Sequence, residues 1–202
     1  MVKVYYAPFA RSLRVLWTLE EMGAPYEAVR VQFPPKAADP GYLDINPLGQ
    51  IPTVIDGDVK LHESVGICEY LAEKYGDKTL VSVAGQPCRP DYLQWLWFGE
   101  ATLMPALGGM VRHSMGPEEG RSALLLAQAR AQFLERLGPL NTALEGHEYL
   151  AGDRFTLADV SVGYALNLGT LFKLTDEYPP NVAAYFQRLQ QRPAFQRAVA
   201  LA

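Results

Sequence analysis

The order of strand-like and helix-like segments in the first third of the chain restricts its fold more than any other feature. Val2–Tyr6 is a short run of β-branched and aromatic residues that stops before a proline, which predicts a buried strand. Residues 10–23 carry apolar side chains at helical spacing and end in Gly23, and residues 26–31 again predict a strand. A strand, a helix and a strand in this order form a βαβ unit, whose strands are parallel.

Two further strands and a helix are predicted before residue 76. Residues 53–55 and 59–61 flank an Asp-Gly-Asp sequence, and an Asp-Gly pair favours a tight hairpin turn between antiparallel strands. A helix over 64–75 follows and is closed by Gly76. The complete order, βαβ followed by ββα, is that of the thioredoxin fold.

The rest of the chain has no strand signals. Residues 79–90 form a passage of weak hydrophobicity that contains glycine and proline, typical of a linker between domains. Helices are predicted over 91–113, 118–137, 157–172 and 181–190, with a short one after Pro193. We therefore expect an α/β thioredoxin-like domain over 1–78, a linker over 79–90 and an all-helical domain over 91–202.

Composition and charge exclude several classes of function. The 18 basic residues are scattered among 22 acidic ones, whereas nucleic-acid binding needs a concentrated basic surface. Cys68 and Cys88 lack the CxxC spacing of a redox or zinc site, and the three histidines show no ligand-like spacing, so we expect no metal. No segment approaches the roughly 18 apolar residues of a membrane span. We expect a cytoplasmic protein with neither nucleic-acid nor membrane partners.

The segment Asn46-Pro47-Leu48-Gly49-Gln50-Ile51-Pro52 directly precedes the predicted hairpin. A proline that opens a strand cannot donate to the ladder, which leaves a backbone edge for an extended ligand. If the peptide bond before Pro52 is cis, the chain turns there and presents the amide and carbonyl of Ile51 outward. The alternative is a loop that merely enters a strand, and spacing alone does not separate the two.

A second motif, His62-Glu63-Ser64, lies where the last strand passes into a helix. Ser64 is the natural N-cap there, and the start of a helix offers free amides and a partial positive charge to a carboxylate. Glu63 adds a negative charge that suits an ammonium group. The pair therefore fits the headgroup of an α-amino acid, although an ordinary cap beside an exposed glutamate is the alternative interpretation.

The helical half contains one strong helix start, Thr156-Leu157-Ala158-Asp159. Thr156 can cap the helix while Asp159 reaches back to the cap amide. We interpret this box as a folding signal without ligand contact.

Together these motifs resemble the glutathione S-transferase superfamily, in its bacterial cytosolic type. The resemblance covers nearly the whole chain, because the segment 46–52, the Glu63-Ser64 pair and the box 156–159 occur in the family's order. It implies that glutathione is bound as a co-substrate. Ile51 would pair by its backbone with the cysteinyl part beside a cis Pro52, and Glu63 and Ser64 would hold the γ-glutamyl end.

The resemblance also points to the glycyl end of glutathione. Gln50 would lie near the glycyl carboxylate. Lys36, in the loop before it, is the weaker candidate for the same group.

Chemistry at such a site requires the glutathione thiol to ionise. A free thiol has a pKa of about 8.5, and lowering it by about two units takes roughly 2.7 kcal/mol of anion stabilisation. One or two charge-assisted hydrogen bonds supply that amount, so the protein needs a donor and no base of its own.

The position of this donor is ambiguous in the sequence. Families of this type use a tyrosine at the end of the first strand, which matches Tyr6, or a serine or cysteine before the first helix. Phe9 falls at the usual serine position and Arg11 at the cysteine position, while Ser12 lies one residue inside the helix start. We expect Ser12 to donate, with Tyr6 as the alternative and a backbone amide or Arg11 as the third. A simple helix cap at Ser12 and a buried strand aromatic at Tyr6 are the non-functional interpretations.

The absence of a cysteine from this turn argues against mixed-disulfide chemistry. The resemblance then implies a homodimeric detoxification enzyme that adds glutathione to a small apolar electrophile. Phe9, Met104 and His113 are the residues that we assign to the electrophile pocket. A glutathione-dependent peroxidase or isomerase is the alternative activity, and a non-catalytic transferase-like binding module is the alternative from another class.

Overall fold

The computed structural model describes residues 1–34, 41–76 and 78–201. Within these ranges no helix is both long and apolar enough to cross a membrane. The backbone divides into two compact units. The first comprises Met1–Val81 together with the chain from Gln190 onward, and the second is Ser82–Leu189.

A small mixed sheet forms the centre of the first unit. Its strands are β1 (Val2–Tyr6), β2 (Tyr26–Arg30), β3 (Thr53–Asp56) and β4 (Val59–Leu61), arranged in the order β2-β1-β3-β4. β1 is parallel to β2 and antiparallel to β3, and β3 is antiparallel to β4. This topology confirms the thioredoxin-like fold predicted from the segment order.

The other long elements of the two units, within the described residues, are α-helices. They are α1 (Ser12–Met22), α2 (Tyr42–Ile45), α3 (Ser64–Tyr75), α4 (Arg89–Trp97), α5 (Met104–Met115), α6 (Ala123–Ala143), α7 (Leu157–Gly169), α8 (Pro180–Gln190) and α9 (Pro193–Leu201). A π-helical turn over Phe98–Leu103 joins α4 to α5. α1 ends at Gly23, whose φ of 61° is in the left-handed region that glycine adopts without strain.

The last helix packs against the first helix within the first unit. The rings of Trp17 and Phe195 meet edge to face with centroids 4.8 Å apart. Arg192 donates from Nε and Nη2 to the two carboxylate oxygens of Glu21, at 2.6 and 2.8 Å. This contact was not predicted from the sequence, because nothing local relates residues so far apart. The domain limits 1–78, 79–90 and 91–202 remain predictions.

A carboxylate at the end of β3 ties the sheet to α3. Asp56 accepts hydrogen bonds from Lys74 Nζ at 2.7 Å, from the Tyr75 hydroxyl at 2.7 Å and from the Tyr70 hydroxyl at 2.8 Å. The bond from Lys74 and then that from Tyr75 lower the pKa of Asp56 to about 2. The carboxylate is therefore held in its charged form by donors from the last two turns of α3.

In the second unit, the α4 and π-helical segment packs closely on α7. Ser161 Oγ donates to the carbonyl of Leu96 at 2.7 Å, and a side chain at Gly99 would collide with Ser161. Glycine is therefore required where the two helices cross.

The predicted box at the start of α7 is present and extends further than its own turn. Asp159 is fully buried and accepts from the Thr156 amide at 2.8 Å, the Leu150 amide at 3.0 Å and the Tyr185 hydroxyl at 2.9 Å. Burial raises the pKa of this carboxyl to about 6, although these hydrogen bonds act in the opposite direction. The box thus joins α7 to the preceding loop and to α8.

Candidate functional site

Three segments of the first unit carry most of the predicted site residues. They are the loop after β1, the segment before β3 and the turn before α3. Because β1 and β3 are antiparallel and Tyr5 pairs with Thr53, the loop after β1 begins beside the segment that precedes β3. The fold thus places two of the three segments side by side.

Asn46 shapes the segment before β3. Its side chain is buried, its Nδ2 donates to the carbonyl of Gln50 at 2.8 Å and to Thr53 Oγ1 at 3.1 Å, and its Oδ1 accepts from the Leu48 amide at 3.0 Å. The last of these bonds is an Asx turn, in which an asparagine side chain replaces a backbone partner. Sequence reasoning quoted Asn46 without a role, although asparagine followed by Pro-Leu-Gly is the signal of such a turn.

Tyr42 supports the same segment from α2, and sequence reasoning missed it entirely. Its hydroxyl donates to the carbonyl of Gln50 at 3.0 Å and lies 2.9 Å from Thr53 Oγ1. Its buried ring packs with Ala7 and Ile51 in one apolar cluster. The loop after β1 and the segment before β3 are therefore held against each other through this ring.

The predicted ligand edge lies at the end of that segment. The Ile51–Pro52 peptide bond is cis, and the ladder between β1 and β3 starts only at Thr53. The side chain of Ile51 is buried, whereas the side chain of Gln50 is exposed. The backbone of Ile51 therefore lies outside the paired part of the sheet.

The turn before α3 differs in one respect from its prediction. Ser64 is not the N-cap, because Glu63 occupies that position and Ser64 is the first helical residue. The reason is the backbone of Glu63, whose φ of 141° and ψ of 102° interrupt the chain directly before Ser64. Such a conformation costs about 1–3 kcal/mol and is typical of functional sites. It leaves the carboxylate of Glu63 exposed beside the start of α3.

Arg14 is the neighbour of Ser64 that sequence reasoning missed. Its side chain is 1% exposed, and its Nη1 donates to Ser64 Oγ at 3.1 Å. Thr18 Oγ1 in turn donates to the carbonyl of Arg14 at 2.8 Å. The available signal was a basic residue within the apolar stripe of α1, flanked by Leu13 and Val15.

The loop after β1 contains the candidate thiolate donors. Ser12 is the first residue of α1 and 0% exposed, and its hydroxyl donates to the carbonyl of Ala7 at 3.2 Å and accepts from the Ala7 amide at 3.4 Å. Tyr6 is buried in β1. Phe9 has a φ of 59°, which is unusual for a bulky residue, and its ring is 60% exposed.

Similarity to known proteins identifies the family to which this chain belongs. Residues 1–73 match the model of the glutathione S-transferase N-terminal domain, and residues 103–193 match that of the C-terminal domain. The glutathione S-transferase GstA of Escherichia coli O157:H7 is 31% identical over 201 residues, which cover 98% of this chain and 97% of that protein. The chain belongs to the glutathione S-transferase superfamily. It is a transferase enzyme, as the sequence predicted.

Two solved structures are similar to this transferase along nearly its whole length. One is the glutathione transferase URE2P6 of Phanerochaete chrysosporium in complex with oxidised glutathione, at a TM-score of 0.86 and 28% identity. It is matched over 99% of this chain and 95% of its own. The other is a family member from Pseudomonas fluorescens with two glutathione bound, at a TM-score of 0.86 and 28% identity over 98% and 92% of the two chains.

The remaining site predictions for this transferase concern other parts of the chain. Met104 and His113 lie in the second unit, where Met104 is buried and His113 Nδ1 is 3.1 Å from the carbonyl of Gly120. Lys36 lies outside the described residues. In the described ranges, no three His, Cys, Asp or Glu side chains are grouped so that they could hold a metal ion.

Proposed function

We propose that this transferase binds glutathione on its first unit, ionises the thiol there and adds it to a small apolar electrophile. The observation that carries the proposal is the start of α3. The exposed carboxylate of Glu63 can hold the ammonium of the γ-glutamyl group. Ser64 and the first amides of α3 can hold its carboxylate, since a helix N-terminus favours an anion.

The other end of glutathione would follow the segment before β3. The backbone of Ile51, next to the cis Pro52, would pair with the cysteinyl part in the manner of an added strand. The exposed side chain of Gln50 would donate to the glycyl carboxylate. The hydrogen bonds of Asn46 and Tyr42 to the carbonyl of Gln50 support this role, because they hold the segment in one conformation.

Ser12 is our first choice for the thiolate donor. Its bond to the carbonyl of Ala7 is long for a hydroxyl donor, at 3.2 Å, and is made between neutral groups. A hydrogen bond to a thiolate is charge-assisted and about twice as strong, so an exchange of acceptor is favourable. Tyr6 is the alternative, and a backbone amide or Arg11 is the third.

We assign Phe9, Met104 and His113 to the electrophile pocket. The exposure of the Phe9 ring in a left-handed backbone conformation supports its part of this assignment. We further propose that the enzyme is a cytoplasmic homodimer that acts in detoxification. Leu93 and Trp97, exposed one turn apart on α4, form an apolar stripe suited to a second copy.

Glu63→Gln tests the recognition step. This change removes the charge that holds the ammonium. We therefore expect the KM for glutathione to rise about tenfold or more, which is the usual effect of losing a charge-assisted hydrogen bond. Turnover at saturating glutathione should change less. Glu73→Gln is the matched control, because it removes the charge of an exposed glutamate in the last turn of α3, away from the start of that helix. The assay uses 1-chloro-2,4-dinitrobenzene as the electrophile and an organic hydroperoxide in a parallel arm. Equal KM values for the two variants would contradict the assignment of Glu63. Glutathione-dependent activity in the hydroperoxide arm but not with 1-chloro-2,4-dinitrobenzene would indicate a peroxidase.

A further inference from the structure

The buried guanidinium of Arg14 contacts the proposed γ-glutamyl site. Arg14 lies in the first turn of α1, and its Nη1 is 3.1 Å from Ser64 Oγ at the start of α3. We propose that Arg14 is a positioning residue that makes Ser64 a hydrogen-bond donor to the α-carboxylate of the γ-glutamyl group. This inference rests on the proposed function, because it requires glutathione as the ligand.

Ser64 can accept a hydrogen bond from Arg14 and donate another to a ligand at the same time. A serine hydroxyl has one hydrogen and two lone pairs, and a guanidinium can only donate. The contact with Arg14 therefore uses a lone pair of Ser64 Oγ, and the hydroxyl hydrogen is directed to another acceptor. A bond received from a cation also polarises the hydroxyl and makes it a stronger donor.

The charges around Ser64 favour the binding of an anionic group there. Arg14 places a full positive charge against this hydroxyl, and the start of α3 adds a partial positive charge from its amides. Both attract an anion to Ser64. The adjacent exposed residue, Glu63, is negative and attracts a cation. Opposite charges on consecutive residues match a carboxylate and an ammonium that share one carbon atom.

The side chain of Arg14 is held rigidly in the folded protein. The side chain is almost completely buried where α1 packs against α3, and its Nη1 is fixed on Ser64 Oγ. A guanidinium that is held in this way is already oriented before a ligand binds, so little conformational entropy is lost on binding.

The test compares three ligands with wild-type protein and the Arg14→Met variant by calorimetry. The ligands are glutathione, an analogue without the α-amine (glutaryl-Cys-Gly) and an analogue without the α-carboxylate (4-aminobutanoyl-Cys-Gly). We expect Arg14→Met to weaken the binding of the two ligands that have the α-carboxylate by roughly 10-fold to 100-fold, the usual weight of a hydrogen bond to a charged group. The affinity of the variant for the analogue without the α-carboxylate should stay within about twofold of wild type, because that ligand has no α-carboxylate for Ser64 to bind.

A purely structural role predicts different results. A lower melting temperature with an equal loss of affinity for all three ligands, or unchanged affinity for glutathione, would overturn the proposal. Ser64→Ala should show the same ligand pattern, and the double variant should be no worse than either single one, whereas additive losses would show that Arg14 does not act through Ser64. If Arg14→Met does not fold, Arg14→Lys supports the proposal when its loss of affinity is confined to the two ligands with the α-carboxylate, and overturns it when the loss extends to the third. Failure of the wild-type protein to bind glutathione would instead overturn the proposed function, and this inference with it.

Discussion

Replacement of Ser12 by alanine should raise the pKa of bound glutathione by one to two units. Among the residues that the structure describes, the hydroxyl of Ser12 bonds to Ala7 alone, at 3.2 and 3.4 Å, both at the weak end of the range. If that hydroxyl turns to the thiolate, its removal deprives the anion of one charge-assisted bond. The loss is roughly 1.4 to 2.7 kcal/mol, which corresponds to the stated shift of the thiol pKa.

The same substitution has a separate effect on folding. The amide and carbonyl of Ala7 lose their side-chain partner, and Ala7 is fully buried. Two long hydrogen bonds of this kind are worth about 1 to 2 kcal/mol of unfolding free energy. Glutathione should still bind, because the groups that we assign to its recognition lie in the other two segments.

The assay is a titration of bound glutathione by ultraviolet difference spectra, since the thiolate absorbs and the thiol does not. Tyr6→Phe is the matched control, and we expect it to leave the thiol pKa unchanged because the ring packs in β1. A shift in Tyr6→Phe but not in Ser12→Ala would transfer the role to Tyr6. If neither curve moves, hydroxyl donation is wrong, and a backbone amide or Arg11 stabilises the thiolate.

Two further predictions concern stability. Because its partners lower the pKa of Asp56 to about 2, this group stabilises the fold above a pH of about 4 and the contribution is lost as the pH falls toward 2. Asp56→Asn should therefore lose about 1 to 2 kcal/mol at neutral pH and show a weaker acid dependence in urea titrations, a pattern that the exposed Asp58→Asn should not reproduce. Asp159→Ala removes the shared acceptor of buried donors from three segments, so it should cost about 2 to 4 kcal/mol in the same titrations, with glutathione affinity retained. Loss of affinity at an unchanged melting temperature would refute this structural role of Asp159.

The sequence by itself determined the features that depend on neighbouring residues. The strands and helices of the first unit follow from side-chain periodicity and from the glycines that end them, and Gly23 and Gly57 take the left-handed conformation that their positions require. The box of Thr156 and Asp159 is likewise local, because its groups are three residues apart. The motifs were sufficient to predict the family, although they misplaced the cap at the start of α3.

Tertiary structure alone decided which distant groups meet. Arg14 and Ser64 are 50 positions apart, and Glu21 and Arg192 are 171 apart, so no periodicity or spacing relates them. Their contacts exist because α1 packs its sides against both α3 and α9 when the sheet is covered. The same holds for Tyr42, whose hydroxyl reaches the carbonyl of Gln50 only once α2 folds over the segment before β3. Burial of a polar side chain stabilises a fold only when its partner is in place, and that partner is supplied by the packing of elements rather than by the order of residues.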